Sequence, residues 1–193
     1  MKKYISLLMC LSFMLALVGC GESTPKCEHK NTTTTYEIDG LSIRKQVTCN
    51  DCSKELEKTT VSKLQYIYDK VLVDENGIKF TLKNIELDGW STVTANFEIE
   101  GTSESKRTFS VEKTFMDGYD ITLWIYASEL ANNKKSSASD WLTDLKAEDF
   151  LMKQDHEMEM SYSIMDSDSY STLSENTIVF NLSEFTSIEE IKQ

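Results

Sequence analysis

The sequence predicts a mostly β protein in two parts, a small strand module followed by a β-sandwich of about seven strands. Short runs of alternating apolar and polar residues, rich in Thr, Tyr, Phe, Val and Ile, recur along the chain. Strong hairpin signals separate several of these runs, at Asp39-Gly40, Asn76-Gly77 and Asp117-Gly118. The only proline, Pro25, precedes all of them, so no predicted strand contains a residue that would break its ladder.

The first twenty residues have the features of an export signal. Lys2 and Lys3 are followed by an apolar stretch, residues 4–17, that is too short to be a stable membrane span. The segment Leu17-Val18-Gly19-Cys20 then resembles the lipobox of bacterial lipoproteins. That resemblance implies removal of residues 1–19 and attachment of diacylglycerol to the Cys20 thiol. The alternative is an ordinary secretory signal with a chance cysteine.

Lipidation at Cys20 would place the protein on the outer face of the cell membrane. Two or more acyl chains on one residue give stable anchoring, and residues 20–26 form a short polar tether. The formal charge of the whole chain is −12, and no basic patch is visible, so nucleic acid is not expected as a partner. Anionic headgroups would repel such a chain, so the lipid itself must hold it at the membrane.

Residues 27–62 are predicted to form a small cysteine module. If Cys10 leaves with the signal and Cys20 carries lipid, three cysteines remain: Cys27, Cys49 and Cys52. An odd number does not fit a complete set of disulfides within an exported chain. His29 supplies a fourth candidate ligand two residues after Cys27.

A hairpin in this module would bring the four candidate ligands together. A type I′ turn at Asp39-Gly40 would place Cys27 opposite Cys52, and His29 opposite Asn50, beside Cys49. Three thiolates and one imidazole are a usual ligand set of structural zinc, and the module resembles a zinc ribbon with residues 55–61 as its third strand. A module this small cannot bury a core of its own, so a metal ion or a disulfide is expected to stabilise it.

Two other uses of the cysteines remain open. A disulfide between Cys49 and Cys52, or between Cys27 and Cys52, would suit an oxidising exterior and leave one thiol spare. Cys49 and Cys52 also form a C-x-x-C pair, which could be redox-active, although no βαβ context surrounds it.

The strands of the sandwich, residues 63–193, follow from alternating apolar positions. A change of phase between Leu82 and Ile85 indicates a bulge, and the strand over residues 119–126 is apolar on both faces. We expect an exposed loop over residues 131–138 and a short helix between Ser139 and Leu151. The predicted strands cover residues 70–74, 78–87, 93–99, 109–116, 119–126, 158–164 and 178–182.

Three segments of the sandwich resemble small immunoglobulin-like lipoprotein domains from Gram-positive cell surfaces. They are Asn76-Gly77-Ile78-Lys79-Phe80, the acidic run from Asp166 to Tyr170, and the strand from Thr177 to Leu182. The resemblance implies an immunoglobulin-like β-sandwich at the cell surface with no assigned activity, and it carries over no catalytic residue.

Few side chains outside the module suggest chemistry. His156, the second of two histidines, is expected to be solvated among acids because no nucleophile motif accompanies it. The run Asp166-Ser167-Asp168-Ser169 favours a turn over a calcium loop, since it lacks an EF-hand glycine and glutamate. We expect Trp124 and Trp141 to pack in the core and Trp90 to be exposed. Met152, Met158, Met160 and Met165 are expected to fill the core.

The sequence thus favours a membrane-anchored extracellular lipoprotein with a non-catalytic recognition or structural role. Its expected partners are the membrane, through the lipid on Cys20, and a protein or other ligand of the cell envelope. No catalytic triad or open metal site is visible in the sequence, so the chain is not expected to be an enzyme. The alternative function is that of an extracytoplasmic thiol–disulfide protein using Cys49 and Cys52.

Overall fold

A computed structural model describes residues 27–142, 145–153 and 155–192. The predicted signal peptide and tether, including Cys20, lie outside these residues. The described chain is mostly β, as predicted, with thirteen strands and one helix. The elements are β1 Thr32–Asp39, β2 Ser42–Cys49, β3 Glu55–Val61, β4 Lys63–Glu75, β5 Ile78–Asp88, β6 Val93–Gly101, β7 Arg107–Met116, β8 Tyr119–Ile121, β9 Tyr126–Leu130, β10 Lys135–Trp141, α1 Ala147–Met152, β11 Glu157–Asp166, β12 Thr172–Asn181 and β13 Ser187–Ile191.

The small module is an antiparallel sheet of β1, β2 and β3, and β3 has the predicted bounds. Its hairpin register differs from the prediction by two residues, because Asp39 pairs with Ser42 and leaves Gly40 and Leu41 as the turn. Gly40 has a φ of +65°, whereas Leu41 is not among the residues with positive φ, as in a type II′ turn. A shift of two residues keeps every side chain on its predicted face.

The rest of the described chain forms two five-stranded antiparallel sheets. Their orders are β10-β6-β5-β4-β13 and β12-β11-β7-β8, with β9 also paired to β7. Phe80 of β5 packs on Phe109 of β7 with ring centroids 4.7 Å apart, so the two sheets share one core as in a sandwich. The sandwich has ten strands rather than about seven, because β10 and β13 were not predicted and the strand over residues 119–126 is divided.

The predicted alternation holds on the inner faces of the sandwich. Every second residue of β6, from Val93 to Ile99, is buried, and the same is true of β11 from Met158 to Ile164. The phase change in β5 is a bulge, since its pairing with β6 shifts between Leu82 and Asn84. Of the four methionines expected in the core, Met158 and Met160 are fully buried, whereas Met152 is exposed.

The prediction for residues 119–126 was partly wrong. Ile121, Leu123 and Ile125 face the core, as expected, but the strand is broken into β8 and β9. Trp124 is 83% exposed and Tyr126 is also exposed, so this edge is not covered on both sides. The apolar outer face that suggested burial therefore lies on the surface.

The prediction for residues 131–151 also needs correction. Residues 135–141 form β10, which pairs with β6 where an exposed loop and the start of a helix were expected. The polar, alternating sequence of β10 suits a strand that covers the edge of β6 and faces solvent. The helix is confined to α1, where Ala147 and Phe150 face the core. Trp141 ends β10 and is 63% exposed, so the expected core position was wrong for both Trp124 and Trp141.

The small sheet packs directly on the sandwich. Ile43 of β2 and Val61 of β3 are fully buried and belong to the same apolar cluster as the sandwich core. Ser62 alone separates β3 from β4, so the two parts are joined without a long linker. Within the described ranges, no helix has the length and apolar character needed to cross a membrane.

Candidate metal centre

The open end of the β1–β2 hairpin brings the four predicted ligands together. The Sγ atoms of Cys27 and Cys49 are 3.3 Å apart, and Cys52 Sγ lies 3.5 Å from His29 Nδ1. All four potential ligand atoms lie within 4.8 Å of one another. In the observed register Cys27 contacts Cys49 and His29 contacts Cys52, where Cys27 had been expected opposite Cys52.

A tight turn after β2 positions Cys49 and Cys52. The Cys49 N–H donates to the Lys54 carbonyl at 2.9 Å, and the Ser53 N–H donates to the Cys49 carbonyl at 2.8 Å. Ser53 has a φ of +58°, and His29, on the opposite arm, has a φ of +54°. Both arms therefore adopt left-handed backbone at one residue, which turns the chain back toward the cluster.

Amide side chains fasten the two arms to each other. The Asn50 N–H donates to the Asn31 carbonyl at 2.9 Å, and Asn50 Nδ2 donates to Asn31 Oδ1 at 2.9 Å. Thr33 Oγ1 adds a 2.8 Å bond to Asn50 Oδ1. These contacts hold the end of the hairpin in the geometry that brings the ligands together.

The pKa values of two thiols in the cluster are shifted in opposite directions. The hydrogen bond with the His29 ring lowers the pKa of the Cys49 thiol, burial opposes this, and contacts with Cys27 and with the backbone N–H groups of Asp51 and Cys52 bring it to about 6. The backbone N–H of His29 lowers the pKa of the Cys27 thiol. The contacts with Cys49 and Cys52, together with desolvation, outweigh this effect and raise the pKa to about 11. The contact with the His29 ring therefore favours the thiolate form of Cys49, which is the form that binds a metal.

The donor set fits a metal ion. A tetrahedral ion with metal–sulfur bonds of about 2.3 Å holds its ligand sulfurs about 3.8 Å apart, close to the spacings seen here. Three sulfurs and one imidazole are soft to intermediate donors, typical of zinc and related transition metals. The cluster of Cys27, His29, Cys49 and Cys52 could thus hold a metal ion and would fill all four positions around it.

None of the three described cysteines is in a disulfide. The shortest described thiol pair, Cys27 with Cys49, is separated by 3.3 Å, well beyond a sulfur–sulfur bond of about 2.05 Å. The disulfides considered from the sequence both involved Cys52, whose Sγ lies 3.5 Å from His29 Nδ1.

His156 is not the solvated residue that the sequence suggested. It is 6% exposed, stacks on Phe150 with centroids 6.1 Å apart, and its Nδ1 lies 2.7 Å from Asp117 Oδ2. Asp117 opens the turn after β7, and Met116 pairs with Met158, so the turn reaches the start of β11 beside His156. The local sequence around His156 is acidic and concealed this long-range partner.

The run from Asp166 to Ser169 forms the predicted turn. Asp166 Oδ1 accepts bonds from the N–H groups of Asp168 and Ser169, which is an Asx-type turn. Asp166 Oδ2 accepts a 2.5 Å bond from Arg107 Nη1. These backbone bonds and the nearby guanidinium lower the pKa of the Asp166 carboxyl.

The three tryptophans lie exposed near one end of the sandwich. Asp140 holds the backbone of two of them, since its carboxylate accepts the backbone N–H of Trp124 at 2.6 Å and that of Trp141 at 2.8 Å. Trp141 also lines a shallow depression with Ser91, the residue that follows Trp90. We call Trp90, Trp124 and Trp141 the tryptophan surface. The sequence showed only that these residues are tryptophans, and residue type alone does not distinguish a core residue from a surface one.

The chain matches no protein-family model, no curated protein and no solved structure.

Proposed function

We propose that this protein is a lipid-anchored component of the bacterial cell envelope that recognises an envelope ligand and carries a structural zinc ion. In this proposal the Cys20 lipid holds the chain at the outer face of the membrane. The Cys/His module is a zinc-stapled support, and the immunoglobulin-like sandwich presents the tryptophan surface. The observation that carries the proposal is the closed set of four ligands, which leaves no position for a reacting water.

Zinc is favoured over other metals by the donor set and by the need for a staple. Three thiolates and a histidine are a common structural zinc set, and zinc brings no redox chemistry that would threaten a site outside the cytoplasm. The small sheet contributes few residues to the core, chiefly Ile43 and Val61. A metal bond at its open end would supply the rigidity that its own packing does not.

Metal content is tested on the mature chain by native mass spectrometry after addition of zinc. One zinc ion per chain, lost in the Cys49→Ser variant and retained in a variant of an exposed residue of β3, Lys58→Ala, supports the proposal. A chain without zinc whose mass is lower by two hydrogens would instead establish a disulfide and overturn the structural zinc site.

The anchor is tested separately in a bacterial host that processes lipoproteins. The full chain should partition into the membrane fraction and carry acyl chains on Cys20, whereas Cys20→Ser should not acquire them. Unmodified Cys20 in the wild-type chain would contradict the anchor and leave the zinc result unaffected.

Recognition is proposed for the tryptophan surface because indole rings bury large areas at little conformational cost. Trp124 is 83% exposed although its backbone N–H is held by Asp140, so binding would need little further ordering of the backbone at this residue. Aromatic residues that a monomer leaves exposed as a group mark interaction sites.

The recognition step is tested by binding of the protein to isolated envelopes. Trp124→Ala combined with Trp141→Ala should weaken binding at least tenfold. The matched control is Val179→Ala, which removes an exposed apolar side chain from β12 and should have no effect. Equal binding by both variants would exclude the tryptophan surface as the recognition site.

The lowered pKa of Cys49 favours a second candidate, a thiol–disulfide protein using Cys49 and Cys52. Cys49 is fully buried, however, and its thiol contacts that of Cys27, which is a poor arrangement for exchange with an outside substrate. Insulin reduction by the metal-free protein, abolished in Cys52→Ser, would favour this candidate over the structural one.

A further inference from the structure

Two residues of the tryptophan surface are tied to the same carboxylate. Asp140 Oδ2 accepts the backbone N–H of Trp124 at 2.6 Å, and Oδ1 accepts that of Trp141 at 2.8 Å. Trp141 ends β10, at the edge of one sheet, whereas Trp124 lies between β8 and β9 of the other. Both residues are more than half exposed, so a ligand outside the protein reaches both of them.

The large apolar side chains exposed in this region are all aromatic. Protein–protein interfaces combine aromatic residues with Met and Arg and are depleted in Asp and Glu. Here acidic residues are abundant, and both arginines of the chain, Arg44 and Arg107, lie in other segments. The region therefore lacks the composition of a protein interface. Among the described residues of segments 88–96, 119–126 and 135–141, the exposed large apolar ones are Trp90, Tyr119, Trp124, Tyr126 and Trp141.

The sheet face beside Trp141 is polar. In the strand pairing Trp141 lies opposite Thr94, which lies opposite Glu86 on its other side. Thr94 and Glu86 alternate with buried residues, so this row lies on the outer face of the sheet. The next row contains Asn96 and Asn84, whose side-chain amides are joined by a 2.7 Å hydrogen bond. Hydroxyl, carboxylate and amide groups therefore lie on the same face as Trp141.

A depression of about 200 Å³ lies beside Trp124, between β7 and the segment that joins β8 to β9. Its lining includes the polar residues Glu112, Lys113, Asp120 and Thr122, each of which is exposed, as Trp124 is. A molecule in the depression can thus contact both an indole and several polar groups. Two carboxylates against one ammonium make the lining negative, which disfavours an anionic ligand.

We propose that the tryptophan surface binds a neutral glycan, with the C–H faces of its pyranose rings on Trp124 and Trp141 and its hydroxyls bonded to Glu112 and Asp120. The negative face of an indole attracts the C–H groups of a sugar ring. A carboxylate accepts a hydroxyl hydrogen bond more strongly than a neutral group does. Because this names the ligand class of the recognition site, it rests on the proposed function.

Charge and ring shape narrow the class of glycan. The carboxylates at the site, in a chain of formal charge −12, repel an anionic polymer. Pyranoses that are β-linked and carry only equatorial hydroxyls present C–H groups on both faces, so they suit the indoles best. The amides and hydroxyls beside Trp141 then offer hydrogen bonds to further sugar units.

Binding is tested by calorimetry on the zinc-loaded protein with cellohexaose and chitohexaose, two neutral hexamers of this kind. The anionic comparison is the β-1,4-glucuronate hexamer, which differs from cellohexaose in having carboxylates in place of its C6 hydroxymethyl groups. We expect at least one neutral hexamer to bind with a Kd of about 1 mM or tighter. It should bind severalfold more tightly than the glucuronate hexamer and should shift the tryptophan fluorescence.

Substitutions locate the binding site. Trp124→Ala and Trp141→Ala should each weaken binding of the neutral hexamer by about fivefold or more, and Trp124→Phe should weaken it less because it keeps a ring face. The matched control is Tyr170→Ala, since Tyr170 is 81% exposed but lies in the turn between β11 and β12. Asp120→Asn should reduce the discrimination against the glucuronate hexamer.

Three results would overturn the glycan ligand. They are failure of both neutral hexamers to bind, equal binding of the glucuronate hexamer, and unchanged affinity in both Trp124→Ala and Trp141→Ala.

Isolated envelopes separate a wrong ligand class from a wrong recognition site. Binding that requires Trp124 and Trp141 and survives protease treatment of the envelopes supports the glycan. Binding that requires the two tryptophans but is lost after protease treatment retains the recognition site and contradicts the glycan, because the ligand is then a protein. Envelope binding that does not depend on either tryptophan contradicts the recognition site and the glycan together.

Discussion

The Tyr36 hydroxyl donates a 2.8 Å hydrogen bond to Glu190 Oε1 and so joins β1, the first described strand, to β13, the last. Lys45 Nζ of β2 lies 2.9 Å from the same oxygen. Burial raises the pKa of the Glu190 carboxyl, but the bonds from Lys45 and Tyr36 outweigh it, and the pKa is lowered. The small module is thus fixed to the sandwich by a polar cluster beside the apolar contacts of Ile43 and Val61.

Removal of the hydrogen bond between Tyr36 and Glu190 should destabilise the protein, whichever of the two residues is changed. We expect Tyr36→Phe and Glu190→Gln each to lower the free energy of unfolding by about 1 kcal/mol. The double variant should lose less than the sum, since Tyr36→Phe removes the bond that Glu190→Gln weakens. Urea unfolding of the four proteins measures the coupling, and Tyr119→Phe, at an exposed tyrosine, is the control. Strict additivity would show that the contact contributes nothing.

Gly89 permits a close backbone approach between the two parts. A Cβ atom at this position would lie 2.1 Å from the Leu41 carbonyl oxygen and 2.6 Å from the Ser42 nitrogen, both in the turn of the β1–β2 hairpin. We expect Gly89→Ala to force the hairpin away from the sandwich and to lower stability by about 2 kcal/mol or more. Hydrogen exchange should show the loss of protection in β1 and β2.

The control for Gly89→Ala lies in the turn that Gly89 faces. Gly40 has a φ of +65°, and a Cβ there would meet nothing within 4 Å. Asn is among the few residues found at the positive-φ position of such turns, so Gly40→Asn should lower stability by no more than about 1 kcal/mol. A larger effect at Gly40 than at Gly89 would contradict the packing assigned to this turn.

The sequence predicted the local features of the fold better than its surfaces. The hairpin that gathers Cys27, His29, Cys49 and Cys52 followed from turn chemistry and spacing, and an error of two residues in register left the faces unchanged. The alternation in β6 and β11 was equally clear, because one face of each strand is fully buried. Such signals depend only on neighbours along the chain.

The features that the sequence did not predict depend on distant partners. His156 is surrounded by acidic neighbours in sequence, and only the pairing of β7 with β11 brings Asp117 to its ring. Trp124 and Trp141 are apolar and were assigned to the core, but the sheet edge on which they lie faces solvent. The strand β10 is polar and acquires its structure from the edge of β6.

Loss of metal should act first on the small module. Chelation of the zinc-loaded protein, or the substitution Cys49→Ser, is expected to remove protection from hydrogen exchange in residues 27–61, because in the proposed site the metal would replace a core in this sheet. Protection of β5, β6 and β11, which pack in the main core, should be retained. Chelator should have no added effect on Cys49→Ser. Equal loss of protection throughout the sandwich would contradict a local staple.

The dependence of stability on acid pH should reflect Asp117. Burial opposes ionisation of this carboxyl, but bonds from the Glu157 N–H, Lys153 and His156 lower its pKa to about 2. A lowered pKa stabilises the folded protein above the unfolded value of about 3.9, and this contribution disappears as the pH falls to about 2. Asp117→Asn should therefore cost about 1 kcal/mol at neutral pH, after allowance for the partial exposure of the group, and nothing near pH 2.

Chemical denaturation of both proteins between about pH 2 and 7 measures this difference. Lys153→Met removes one of the donors to Asp117 and should reduce the pH dependence without abolishing it, because the Glu157 N–H and His156 remain. As the pH falls, the free energy of unfolding of the wild-type protein should approach that of Asp117→Asn. Protonation of Asp117 then removes from the wild-type protein the charge that the variant lacks. A gap that stays constant down to about pH 2 would mean that Asp117 stabilises the fold through shape and neutral hydrogen bonds, and that its charge contributes nothing.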